Sequence, residues 1–180
     1  MFELVLVLAV GIAFLVETHL ARHWSPGYSL SGIRVLRRSC HALKPARDLP
    51  RAERMELRFM ETELPTFDFK RMGPDRLAFH ENYSGAKTVY TQVMRGYLSF
   101  DRRTGEVQVV GLLNYFALCF LLALVAGALA SVDVGGLIFM PFGLLVLGIC
   151  YAMQAGRYDE VLSAAAAEWG SQDDVTGHAG

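Results

Sequence analysis

His19 and His23 stand four residues apart, a spacing that puts two imidazoles on one face of a helix, where they could hold a metal ion or a haem iron. A closed metal site takes about four ligands, and no third ligand is apparent beside them. Two interfacial histidines among polar neighbours is the plainer reading, so no metal, cofactor or catalytic residue is expected. Cys40-His41 is a single adjacent pair, without the repeated CxxC or HxxxH spacing of a zinc site. Cys119 and Cys150 fall inside apolar stretches, where thiols are usually inert packing groups. With Cys40 in a polar segment, no disulfide framework is expected.

Glu17 and Asn114 are polar positions at the edges of apolar runs. An intramembrane carboxylate is a candidate for proton or ion handling. Both residues can instead reach an interface, and no further acid, histidine or lysine lies deep in the runs to form a relay. No Walker loop, GxGxxG, HExxH, GxSxG or paired-carboxylate arrangement occurs. Phe67, Phe69, Phe79, Tyr83 and Tyr90 lie among charges, as in single-strand nucleic-acid binders, but ten acidic residues interrupt that segment. No nucleic acid is therefore expected as a partner.

The elements that would position these residues follow from how the 180 residues distribute their 53% hydrophobic content. Leu4 to Val16 is unbroken apolar sequence, and Leu112 to Met153 is interrupted only by Asn114 and Asp133 as strongly polar side chains. A hydrocarbon core of ~30 Å requires ~20 apolar residues per helix. Residues 1–21 are thus expected to form a first transmembrane helix. Residues 112–153 are expected to fold back at Ser131–Gly136 into a hairpin of two more, 112–131 and 134–153. Small-xxx-small pairs such as Ala123 and Gly127 suit close packing within that hairpin. The expected fold class is three transmembrane helices with an antiparallel, β-rich domain between them. Arg22, Arg34, Arg37 and Arg38 follow the first run and Arg95, Arg102 and Arg103 precede the second, so the positive-inside rule puts residues 22–111 and the C-terminus in the cytoplasm. The composition, 14 Arg to 3 Lys with abundant Ala and Gly, points to a bacterial inner membrane.

Residues 22–111 carry 16 basic against 10 acidic residues, while 156–180 hold Arg157 against five acids, an acidic tail from 154 expected to be partly helical and then disordered. Ile33, Leu36, Cys40 and Leu43 recur at helical spacing, predicting an amphipathic helix over 30–44. Its basic residues Arg34, Arg37, Arg38 and Lys44 would contact a membrane surface, the lipid bilayer being one partner, unless the helix packs on its own domain. Alternation predicts antiparallel strands over 55–110, clearest in a hairpin over Gly96–Gly111 turning at Arg102–Gly105. Met55–Glu63 fits helix or strand and is assigned to strand. The function expected from this layout is a non-enzymatic accessory or assembly subunit whose β-domain binds a protein partner. Alternatives are an immunity protein against a membrane-acting toxin, or a haem- or metal-linked redox subunit using His19 and His23.

Overall fold

The alternating segments between residues 66 and 113 fold as an antiparallel meander in a computed structural model that describes residues 2–42, 48–60, 66–82, 92–130 and 134–171, the side chains of 2–4, 6, 130, 134–139 and 171 excepted. The meander runs through β2 (Thr66–Arg71), β3 (Arg76–Asn82), β4 (Met94–Asp101) and β5 (Glu106–Leu113). β1 (Arg34–His41) joins the outer side of β5, giving the order β1-β5-β4-β3-β2. The β4–β5 hairpin turns at Gly105, whose φ of 71° is the left-handed conformation glycine adopts without strain. In β2 and β3 the aromatic residues Phe67, Phe69 and Phe79 point inward, while Asp68 and His80, register partners, stand on the opposite face. This is the two-residue period of a pleated strand.

The inward face is covered by α3 (Ala52–Met60) and by the second half of α5 (Val134–Ser171). On α5, Gln154, Tyr158, Val161, Ala165 and Trp169 recur every three or four residues and are all buried. They form one helical stripe against the sheet. Full burial of one large apolar side chain contributes ~1.5–3 kcal/mol, so this stripe is central to stability. The segment expected as an acidic tail from 154 thus supplies the core through Trp169. Met55–Glu63, assigned to strand from sequence, is helical over its described part: Met55 and Phe59 of α3 reach the core four residues apart, and Glu56 accepts the edge-strand N–H of Phe69 at 2.9 Å. That carboxylate occupies one donor that an edge strand otherwise leaves open.

The amphipathic helix expected over 30–44 does not form. A five-residue helix α2 (Pro26–Leu30) ends before Gly32, whose φ is 145°, and the chain then enters β1 as an edge strand. Helical spacing lost to the ladder offered by β5, aided by a register shift between Arg34 and Leu36 that interrupts strict alternation. Arg34, Arg37 and Arg38 are exposed along β1 rather than gathered on one helix face, and Arg38 pairs with Asp159 of α5. Lys44 lies outside the described residues, as do residues 131–133 of the expected reversal at Ser131–Gly136, whose remaining residues begin α5.

Three membrane-spanning helices, expected from the apolar runs, are not found: among the described residues no helix is long and apolar enough to cross a membrane. The 16 residues of α4 (Tyr115–Ala130) measure about 24 Å at ~1.5 Å per residue, short of a ~30 Å hydrocarbon core. In α1 (Phe2–Arg22) the apolar run ends at Val16, because Glu17 is drawn into the protein. The described apolar part of α5, Met140 to Met153, passes straight into the buried polar side chains Gln154 and Arg157. The inner-membrane placement and the orientation derived from it fall with the spans. What forms instead is a layer of α1, α4 and the first half of α5, packed in that order. Its α4–α5 contact is set by Gly143, where a Cβ would lie 2.7 Å from Leu124 Cδ1. At Gly127, singled out from sequence for close packing, an added Cβ would meet no described side chain within 4 Å.

Candidate functional site

Pairing between β3 and β4 stops at Phe79 and Gly96. The tip of the Phe79 ring lies against Gly96, where a Cβ would come within 2.4 Å of Phe79 Cζ. Beyond this point the strands part, and the side-chain amide of Gln154 takes over the freed main chain. It accepts from the N–H groups of Val93 and Met94 at 3.1 and 2.9 Å and donates to the Met94 carbonyl at 2.7 Å. The opening lies at the foot of α1 and holds a pocket of about 660 Å³, within the range of small-molecule sites.

One end of the pocket is closed by a buried polar junction. Arg95 is 2% exposed and donates to the main-chain carbonyls of Tyr28, Ser31 and Leu113 at 2.8–2.9 Å, with its guanidinium 3.8 Å from the Tyr28 ring centroid. Its Nη1 lies 3.8 Å from Glu17 Oε1. The Glu17 carboxylate accepts the Tyr28 hydroxyl and the first two N–H groups of α4, Tyr115 at 3.1 Å and Phe116 at 2.8 Å. A carboxylate on α1 thereby caps the positive end of another helix. Asn114, just before α4, accepts its first helical bond from Leu118 and donates Nδ2 to the Gln92 carbonyl. Burial first, and then the Glu17 charge, push the Tyr28 hydroxyl well above the usual phenol range, so it remains a donor.

The other wall is the outward face of β2 and β3. Asn82 Nδ2 donates to both oxygens of Asp68 at 3.1 and 2.9 Å, and His80 Nε2 lies 3.8 Å from Asp68 Oδ2. Burial lowers the His80 pKa below its ordinary value, with Asp68 opposing. The indole of Trp24 covers His80 at 4.4 Å between centroids. Trp24 ends α1 with φ of 50°, a left-handed position that usually takes glycine. Its N–H bonds the Ala21 carbonyl and that of Ser25 the Leu20 carbonyl, the two bonds of a Schellman cap. A tryptophan held there costs of order 1–3 kcal/mol in backbone strain and puts its ring on the pocket wall. Gln92 Nε2, buried at the same pocket, has no hydrogen-bond partner among the described residues.

Of the residues singled out from sequence, Glu17 and Asn114 come together here, joined through Arg95. His19 and His23 lie outside the pocket with their rings packed on each other, centroids 4.4 Å apart. No group of three or more metal-ligating side chains occurs among the described residues. Cys40, Cys119 and Cys150 are free thiols, and burial pushes Cys40 up. Sequence reasoning missed Trp24, Asp68, His80, Gln92 and Arg95. The one signal for Asp68 and His80 was their place at polar positions of alternating strands. Fold and site together define an α+β protein with a pocket at the junction of a helical layer and an antiparallel sheet. Comparison of the chain with protein-family models, with curated proteins and with solved structures gives no match.

Proposed function

We propose that the chain is a non-catalytic accessory protein that packs an apolar helix of a partner protein against its exposed helical layer. The observation that carries this is the exposed face of α1, where Val5, Leu8, Ile12 and Leu15 recur at spacings of three, four and three. That is the a/d stripe onto which a second helix docks by knobs-into-holes packing. Phe142, Leu145 and Ile149 of α5 and Leu122, Val125 and Leu129 of α4 repeat the same three-and-four spacing on their exposed sides. Apolar patches of this extent on a folded protein mark interaction surfaces. Support for a non-catalytic role comes from the pocket's hydroxyls: Thr18 donates to the Phe14 carbonyl and Tyr28 to Glu17, leaving neither beside a free base.

Photo-crosslinking in the native host tests the reading, with a benzophenone amino acid at Leu8 or Leu122 and a control at Leu57, exposed on α3. The expected result is one adduct mass, shared by Leu8 and Leu122 and absent at Leu57, whose crosslinked peptide maps to an apolar helix of another protein. Adducts to lipid alone, or to a second copy of the chain, overturn it.

A further inference from the structure

We infer that the outer edge of β1 is a docking site for an extended, acidic segment of a partner protein, which adds a strand to the five-stranded sheet. In an antiparallel pair, alternate residues turn both their N–H and their C=O toward the same neighbour. Ala42 donates to the Gly105 carbonyl, and the register continues with Cys40 opposite Val107, Arg38 opposite Val109 and Leu36 opposite Gly111. These residues serve β5, so Arg37, Ser39 and His41 turn their main-chain groups away from the sheet. All three are exposed, and no main-chain N–H or C=O that they turn outward is hydrogen-bonded among the described residues. The row begins after Val35, whose carbonyl already accepts the Tyr151 hydroxyl at 3.0 Å. Such a row is a template for a further strand. The opposite edge is treated differently: at β2, Glu56 of α3 accepts the outward Phe69 N–H at 2.9 Å.

Charge selects the occupant. Arg38 meets Asp159, and Glu106 is the register partner of His41 on the β5 side, whereas Arg34 and Arg37 are exposed and make no ion pair among the described residues. From Thr18 to Arg47 the sequence holds no Asp or Glu, so the chain leading into and out of this edge adds no negative charge to it. A second copy is a poor occupant, because laying β1 on β1 would set arginines beside arginines. An acidic segment gains the ladder bonds and the charge contacts together, and the same arginines turn other strands away. Leu36 and Cys40 face the core while Arg37 and Ser39 face away from it, so alternating apolar and acidic side chains match the two faces. This inference is independent of the helix-docking reading, because it uses a strand edge and not the apolar stripe of α1.

Fluorescence polarisation of the intact protein tests it, with a labelled hexapeptide that alternates valine and glutamate. A Kd of about 100 µM or tighter is expected. The valine–lysine counterpart, and the acidic peptide with every amide nitrogen methylated, should each bind at least about tenfold more weakly. Arg37→Glu should weaken the acidic peptide at least about tenfold without moving the thermal melt, since the side chain is exposed. Ser39→Pro should abolish binding, because proline lacks the outward N–H and is tolerated on edge strands. Amide exchange in the unaltered protein, read by NMR, decides the matter even where that variant fails to fold. Saturating peptide should slow the N–H groups of Arg37, Ser39 and His41 at least about tenfold and leave those of Arg38 and Cys40, already bonded to β5, unchanged. Equal binding of the methylated peptide, or equally tight binding of a thymidine octanucleotide, would show attraction to the arginines alone. Either result, binding weaker than about 1 mM, or slowing that does not follow the alternate residues overturns the inference.

Discussion

Replacing Arg95 by methionine is the sharpest single perturbation the junction allows. Methionine keeps much of the buried volume and removes every donor. Two of the three carbonyls that Arg95 serves, those of Leu113 and Ser31, are in part-buried contacts that water can replace. The larger loss is electrostatic. Glu17, 7% exposed, keeps its bonds from Tyr28, Tyr115 and Phe116 but loses the guanidinium 3.8 Å away. Stranding one partner of a buried pair costs about 3–5 kcal/mol. For a chain of this size that lowers Tm by about 6–20 °C, at 2–4 °C per kcal/mol. Urea unfolding followed by tryptophan emission, with thermal melts by circular dichroism, measures both. The double variant Glu17→Gln with Arg95→Met should lose at least about 1 kcal/mol less than the sum of the single losses, since the second change removes a charge already orphaned. A single variant within about 0.5 kcal/mol of the parent, or strict additivity of the pair, would refute the account of the junction.

Gly96→Ala pushes a methyl into the Phe79 ring and should cost about 1–3 kcal/mol in the same unfolding assay, with β3 and β4 losing amide protection first. Gln154→Leu leaves the N–H groups of Val93 and Met94 without their side-chain acceptor, for a loss of about 2–4 kcal/mol in the same assay. His80 titrates below its ordinary 6.5 because it is buried, with Asp68 of β2 opposing and Arg95 of β4 at the adjoining cleft. The folded chain therefore takes up this proton less readily than the unfolded one, and stability falls as pH drops below 6.5 toward the folded value. Melts at about pH 7.5 and about pH 5 should show a smaller difference in His80→Gln than in the parent; an identical difference removes His80 as the cause. Cys40, with its thiol raised by burial and its Sγ 3.9 Å from the Leu162 carbonyl, should alkylate more slowly at pH 8 than a free thiol in the urea-unfolded chain.

Most of the sheet was legible because its signals are local. The β4–β5 hairpin announced itself by alternation on both sides of a glycine that the structure holds at positive φ, and Phe67-Asp-Phe69 and Leu77-Ala-Phe79 placed β2 and β3. Two assignments failed where tertiary context overrode a local period. Residues 34–41 have helical spacing but pair with β5, and Met55 to Met60 alternate like an edge strand but bury Met55 and Phe59 as a helix. The apolar runs misled for a related reason: hydropathy sums residues without saying where a helix ends or what it packs on. Sequence inspection marked Glu17 and Asn114 as polar residues needing an explanation. It could not supply Arg95, since the three meet only after separations of tens of residues, and nothing local distinguishes a buried arginine from its solvated neighbours.

The cap that Glu17 places on α4 also has a consequence in time. The two amides it holds belong to residues 98 and 99 positions further along the chain. At ~5–20 residues per second, translation reaches them about 5–20 s after Glu17 is made. Throughout that interval the residues of α1 are already joined and those of α4 are not. The side of α1 that α4 covers is therefore made well before its cover.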